Sequence, residues 1–314
     1  MSFDNTETQH PRQIEAQSHN PAITPELIAQ LLHIARAAGD AIMAIYSQRD
    51  SYNTQHKTDD SPLTAADLAA HKLIAQALPA LLTIPILSEE GTLPSYRERQ
   101  TWNQYWLVDP LDGTKEFIAG NGEFTVNIAL IIHGQPRLGV VHVPATNTTY
   151  IGVLEAQDPA DLGAWRYSQA APRETIKVRS LRERQAQGLP LTTLLSHRHG
   201  THASNDLMTL LATRWPGPIE TINAGSSLKF CAIAEGRADF YPRLAPTCEW
   251  DTGAAQAVLE AAGGQVVELI THGANQLKPL RYNTQDELLN PFFYGLGDQD
   301  FDWLGLLSDE LNVE

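Results

Sequence analysis

Cysteine is almost missing from this chain: there are two, Cys231 and Cys248, in 314 residues. Two cysteines make neither a disulfide framework nor a thiolate metal site, so disulfide-stapled secreted classes are excluded. Positive charge is also short, with 22 Lys and Arg against 37 Asp and Glu, a formal net charge of -15. A nucleic-acid polymer as partner is excluded on that ground, because it needs a basic footprint. No run approaches the roughly 18 apolar residues that cross a bilayer, so no transmembrane segment is expected. The first 20 residues lack the basic-then-apolar pattern of a signal peptide. A cytoplasmic location is the expectation.

Apolar residues make up 42% of the sequence, enough for a globular fold, and 314 residues suit one large domain or two closely packed ones. Residues 1–22 read as a flexible polar leader. Thr24 and Pro25 open a helix as N-cap and first helical residue, with Leu27, Leu31, Ile34, Ala38, Ile42 and Ile45 on one face. A second helix is expected from Thr64 to Leu78, ending at Pro79, with Leu68, Ile74 and Ala75 among its apolar positions. Strands follow at 84–87, 125–132, 137–143 and 148–154, the second and third forming a hairpin. After about residue 175 strands and helices alternate: strands at 191–195, 219–222, 238–241 and 265–268, helices at 206–213, after 225–227 and at 251–262. The division is an α+β half over 23–175, an α/β half over 176–296, and an acidic tail over 297–314. In the tail Phe301, Leu304, Leu307 and Leu311 keep near-helical spacing, which suits a docked helix or a disordered end equally.

The chain is organised around Trp106-Leu107-Val108-Asp109-Pro110-Leu111-Asp112-Gly113-Thr114-Lys115-Glu116-Phe117. Trp106 to Val108 read as the end of a buried strand, which should stop at Pro110 for want of an amide donor. Asp-Pro and Asp-Gly are ordinary turn signals. Two acids turned to one side, however, repel each other unless a cation lies between them, and a hard divalent ion with oxygen ligands is the simplest candidate. Further acids are needed to complete a cage. Glu89-Glu90 follows a short apolar strand, whose carboxyl end is a good place to project ligands. Asp251 and Asp67 read equally well as helix-cap residues.

Taken together, Glu89-Glu90, Asp109 to Thr114 and Trp250-Asp251 resemble the inositol monophosphatase superfamily of Mg²⁺-dependent, lithium-sensitive phosphatases. Asp112 to Phe117 and Asn121 to Ala129 are similar to its 3'(2'),5'-bisphosphate nucleotidase branch, as are Asp60 to Asp67, Gly225 to Cys231 and Tyr241-Pro242-Arg243. The resemblance covers about residues 25–295. It implies a layered αβαβα sandwich. It also implies one ion held by Glu89, Asp109 and the Leu111 carbonyl, and a second held by Asp109, Asp112 and Asp251, with a third, weaker ion near Glu90. Catalytic roles fall on Asp67 and Thr114, as a relay toward the attacking water, and on Glu90. Substrate contacts fall on Asp112, Gly113, Thr114, Lys115, Gly225, Ser226, Ser227, Lys229, Arg243 and Asp251, with Ser196 to His199 as further candidates. The implied reaction removes the 3'-phosphate from adenosine 3',5'-bisphosphate or its sulfated form. The alternatives are an inositol or sugar monophosphatase of the same superfamily, disfavoured by Lys115-Glu116, and an inactive metal-dependent nucleotide-binding protein. Oligomeric state is left open.

Overall fold

Thr24 starts the first helix, α1 (Pro25–Tyr46), by accepting the Leu27 amide on its hydroxyl at 3.3 Å. The structure, a computed structural model, describes residues 20–47, 55–56, 62–63, 65–195, 202–270 and 274–307. Residues 1–19 of the leader, 308–314 of the tail, the Thr64 cap and the Ser196 to His199 segment lie outside that set.

After α1 a short antiparallel pair, β1 (Gln55–His56) and β2 (Pro62–Leu63), precedes α2 (Ala65–Leu81). A seven-stranded sheet follows, made of β3 (Ile86–Ser88), β4 (Gln104–Asp112), β5 (Thr125–Ile132), β6 (Gln135–Val143), β7 (Thr148–Val153), β8 (Gly163–Tyr167) and β9 (Glu174–Thr175). Its strands lie in chain order, with β3 parallel to β4 and every later neighbour antiparallel. Two short helices interrupt it, α3 (Tyr96–Arg99) and α4 (Thr114–Ala119). Next come α5 (Leu181–Ala186), β10 (Leu191–Leu195), α6 (His202–Arg214), β11 (Ile219–Asn223), α7 (Leu228–Ala234), β12 (Phe240–Arg243), α8 (Gly253–Ala261), β13 (Gln265–Glu268), β14 (Phe293–Leu296) and α9 (Trp303–Leu307). These five strands form a mixed sheet in the order β11-β10-β12-β14-β13.

Side-chain alternation along the strands distributes the apolar residues over both faces of the large sheet. Trp106 and Val108 pack with α1 and α2, while Tyr105 and Leu107 pack with α7, α8 and the second sheet. Phe240, Tyr294 and Leu296 on the outer face of the second sheet meet Leu207, Leu211, Trp215 and Trp303. The layers are therefore helix, sheet, helix, sheet, helix, as the sandwich requires. Among the described residues α1 alone is long and apolar enough to cross a membrane. Its stripe of Leu27, Leu31, Ile34, Ala38 and Ile42 is instead buried against α2 and the sheet.

Four expectations change. The strand passes through Pro110 to Asp112, because a register shift against β5 between Asp109 and Asp112 puts the proline in a bulge, where no ladder amide is needed. Helix α2 passes Pro79 and ends at Leu81, the proline lying in its last, exposed turn. Leu68 is 45% exposed, and the buried face of α2 carries Ala66, Asp67, Ala70, Ile74 and Leu78. The helix expected from Asp251 begins at Gly253, after a 3-10 turn at Glu249–Asp251. Strands β1, β2, β8, β9 and β14 and helices α3 and α5 were not anticipated; all are short.

The seat of α8 depends on two glycines. Gly139 on β6 and Gly152 on β7 are cross-strand partners. A Cβ on either would stand 2.2 Å from a carbonyl of α8, that of Ala254 or Ala257. The alanine-rich helix thus lies directly on the strands, and its approach fixes where Asp251, two residues before its start, can stand.

Candidate metal centre and active site

In a regular strand, residues three apart point to opposite faces. The bulge after Asp109 removes that parity: Asp109 pairs with Asn127 and Asp112 with Thr125, leaving Pro110 and Leu111 out of register. Carboxylate oxygens of Asp109, Asp112 and Asp251 then lie within 4.8 Å of one another. Gly113 follows with φ of 92°, a left-handed turn suited to glycine, and α4 begins at Thr114. Strand β3 brings the next acid. Ser88 is in register with Val108, and the Glu89 amide donates to the Val108 carbonyl at 3.2 Å, which sets Glu89 beside Asp109. Glu90 follows in the same turn, closed by the Gly91 amide on the Ser88 carbonyl. Asp251 is held by the Cys248 amide, at 3.0 Å from its Oδ2.

Asp109 is 1% exposed and accepts one described hydrogen bond, from the Leu111 amide at 3.0 Å. Burial pushes its carboxyl well above the usual range, and the charges of Glu89, Asp112, Asp251 and Asp67 push it further. Asp251 is raised for the same reasons, first burial, then Asp112 and Glu89; the Cys248 amide and Arg243 oppose this weakly. Carboxylates from four separate stretches of chain therefore share one field, and every charge acting on Asp109 is negative. Oxygen donors crowded in this way, around an Asp109 on which only like charges act, fit a hard divalent cation. The Asp109, Asp112 and Asp251 cluster is consistent with a single divalent metal-binding site.

Asp112 has a support that sequence reasoning missed. Its Oδ2 accepts from the Ser226 hydroxyl, from the Ser227 amide at 2.8 Å and from Asn127 Nδ2 at 3.4 Å. Thr125 Oγ1 is 2.7 Å from Ser226 Oγ, and Asn127 Nδ2 donates to Ser227 Oγ at 3.0 Å. Ser227 Oγ donates in turn to the Asp251 carbonyl at 2.9 Å, so one network orients two of the three acids. The signal was present: Thr125 and Asn127 are polar residues two apart, on one face of an otherwise apolar strand. Gly225 to Ser227, read as phosphate or ribose contacts, turn described donors to protein acids, with the Gly225 amide on Glu123 at 2.7 Å.

The other expected residues are scattered around this centre. Thr114 Oγ1 donates to the Leu111 carbonyl at 3.4 Å, so these two adjoin. Asp67 is fully buried on α2 and within the field of Asp109. Lys115 is exposed on α4. Lys229 is buried, its Nζ donating to the Ser226 carbonyl at 2.8 Å and standing 5.3 Å from the Tyr241 ring centre. Arg243 donates to the carbonyls of Ala245 and Pro246, and its charge reaches Asp251.

Comparison with known proteins gives a consistent set of relatives. The profile described as the inositol monophosphatase family matches residues 25–290. A protein named 3'(2'),5'-bisphosphate nucleotidase CysQ from Escherichia coli K12 is 44% identical over 268 residues, 85% of this chain and 98% of its own length. A protein of the same name from Haemophilus influenzae is 32% identical over 287 residues, 91% of this chain and 98% of its own length. The crystal structure of CysQ from Bacteroides thetaiotaomicron, 36% identical, superposes with a TM-score of 0.69 over 88% of this chain and 99% of that one.

Proposed function

The chain belongs to the inositol monophosphatase family, and on that premise we propose that it is a Mg²⁺-dependent phosphatase removing the 3'-phosphate of adenosine 3',5'-bisphosphate. The products are AMP and phosphate, and the sulfated nucleotide is a further substrate. The observation that carries this reading is the convergence of Asp109, Asp112 and Asp251, whose carboxylate oxygens lie within 4.8 Å of one another, in a field that Glu89 shares. The names of the relatives supply the substrate class, a 3'(2'),5'-bisphosphorylated nucleotide; adenosine as its base is part of the proposal.

Glu89, Asp109 and the Leu111 carbonyl would hold one ion, and Asp109, Asp112 and Asp251 a second, with Glu90 beside a weaker third. Such ions lower the pKa of bound water and neutralise phosphate oxygens during in-line displacement. The chain's own part is to orient and to move protons. The Thr114 hydroxyl, once turned from the Leu111 carbonyl, would accept the proton of the attacking water while passing its own to the buried Asp67 carboxylate. The amides of Gly113 and Thr114 face the phosphate being removed. Lys115, Lys229 and Arg243 are assigned to the ribose and the second phosphate, the two buried or half-buried cations offsetting its charge. Gly225 to Ser227 would border that side while their donors hold Asp112 and Glu123. On this reading 23–175 is the metal-binding half and 176–296 the substrate-binding half, and the enzyme is cytoplasmic and inhibited by lithium.

The test is phosphate release with Mg²⁺ across a panel of adenosine 3',5'-bisphosphate, inositol 1-phosphate and fructose 1,6-bisphosphate. The bisphosphorylated nucleoside should be the best substrate, with release suppressed by low-millimolar lithium. Preference for inositol 1-phosphate would overturn the substrate assignment.

A further inference from the structure

Two supports of the acid cluster are joined by a side-chain pair outside it. His71 lies on α2 one helical turn after Asp67, so the two residues lie on the same side of the helix. Its Nδ1 is 2.9 Å from Ser88 Oγ. Ser88 is the last residue of β3, 4% exposed, and immediately precedes Glu89 and Glu90. The Glu89-Glu90 turn is fixed to β4 through the Glu89 amide and the Val108 carbonyl. The His71 to Ser88 bond fixes the same turn to α2. The ring also packs along the turn: a Cβ on Gly91 would stand 3.7 Å from His71 Cε1. The field of Glu90 reaches the imidazole as well.

We propose that His71 is a positioning residue for the metal centre, which through Ser88 sets where Glu89 stands relative to Asp67 and Asp109. The inference rests on the reading of Glu89 and Asp109 as metal ligands and of Asp67 as the proton acceptor beside them. Asp67 enters the site from a helix and Glu89 from a strand, and backbone bonds within either element leave their separation adjustable. A side-chain bond between the two elements removes that freedom. A hydroxyl partner does so without adding a cation that would compete with the metal. Residues that orient ligands in this indirect way typically change metal affinity by about 10- to 100-fold when removed.

The experiment measures Mn²⁺ binding to the full chain by calorimetry, alongside Mg²⁺ titration of phosphate release and thermal melting, for wild type, His71→Ala, His71→Asn and Ser88→Ala. Mn²⁺ affinity should fall about 10-fold or more in His71→Ala and Ser88→Ala. Half-saturating Mg²⁺ should rise by more than the maximal rate falls. His71→Asn, whose amide can still bond Ser88 Oγ, should recover most of the affinity. If His71→Ala melts before it can be titrated, Ser88→Ala carries the same test. Wild-type Mn²⁺ affinity in Ser88→Ala overturns the proposal. So does an Asn variant as weak as the Ala variant while melting like wild type, since packing of the ring would then be its contribution. Failure of the wild type itself to bind Mn²⁺ sinks the underlying metal-site reading instead, and is recognised before any variant is compared.

Discussion

Two aspartates of this protein are equally buried, each 1% exposed, and settle the cost of burial in opposite ways. Asp239, just before β12, accepts Arg179 Nε at 2.5 Å and a second guanidinium nitrogen at 2.6 Å, with the Thr192 amide at 2.7 Å. The pair ties β12 to β10 and needs nothing from outside. Asp109 accepts the Leu111 amide and otherwise faces Glu89, Asp112, Asp251 and Asp67. Burying a charge without a partner is too costly to persist unless something compensates it. The chain completes Asp239 by itself and leaves Asp109 among like charges, the setting in which a bound cation, as proposed, would compensate it.

The strongest test of that contrast is a pair of isosteric substitutions. Asp109→Asn should lower phosphate release by at least about 10³-fold, equivalent to roughly 4 kcal/mol of barrier. It should leave melting without metal unchanged or higher, since one of five repelling carboxylates is gone. Asp239→Asn should do the reverse. Activity per folded molecule persists, while stability falls by about 2–3 kcal/mol, the buried-pair value reduced because Arg179 is 24% exposed. Equal destabilisation by both would erase the distinction.

Metal addition sharpens it. At a hundred times the dissociation constant, Mg²⁺ should stabilise the wild type by about 2.7 kcal/mol, and chelation should reverse the gain. Asp239→Asn should respond as the wild type does. Asp109→Asn should respond weakly or not at all. A full response in that variant would place the ion elsewhere.

The same comparison separates what was legible in the sequence from what was not. Glu89, Asp109 and Asp112 could be read because they stand next to apolar strands and turn residues, where a carboxylate is conspicuous; Asp251, which reads equally well as a helix cap, is singled out by the resemblance alone. Their convergence could not be derived from spacing. It depends on a bulge between Asp109 and Asp112, a parallel register that sets Glu89 beside Asp109, and a glycine pair beneath α8. Pro110 misled because a proline ends a strand only where its missing amide is needed. Leu68 misled because a buried acid, Asp67, took the inner face of α2 from it. The Asp112 supports were hidden because Thr125, Asn127, Ser226 and Ser227 are about a hundred positions apart in pairs and meet only across two elements.

His142 shows a third way to bury a titratable group, which is to give up the charge. It is 2% exposed on β6, with Nδ1 2.8 Å from Thr149 Oγ1, and α1 presses so close that a Cβ on Gly39 would stand 2.4 Å from Nε2. Burial, with the charge of Arg36 second, lowers its pKa from 6.5 to about 4. A folded pKa below the unfolded one means that the neutral ring contributes stability above pH 6.5, and that this is lost as pH falls from 6.5 toward 4. The loss should reach about 1 kcal/mol by pH 5.5. The raised carboxylates of the metal centre act in the opposite sense, their contribution being lost as pH rises. The wild-type curve therefore mixes the two, and its difference from His142→Gln, measured by denaturant melting at pH 7.5 and 5.5, isolates the ring. A difference that does not change between those pH values would mean that the imidazole protonates as readily inside the fold as in the unfolded chain. His142 would then resemble Asp239, with a compensating partner, rather than standing as a group neutralised by burial.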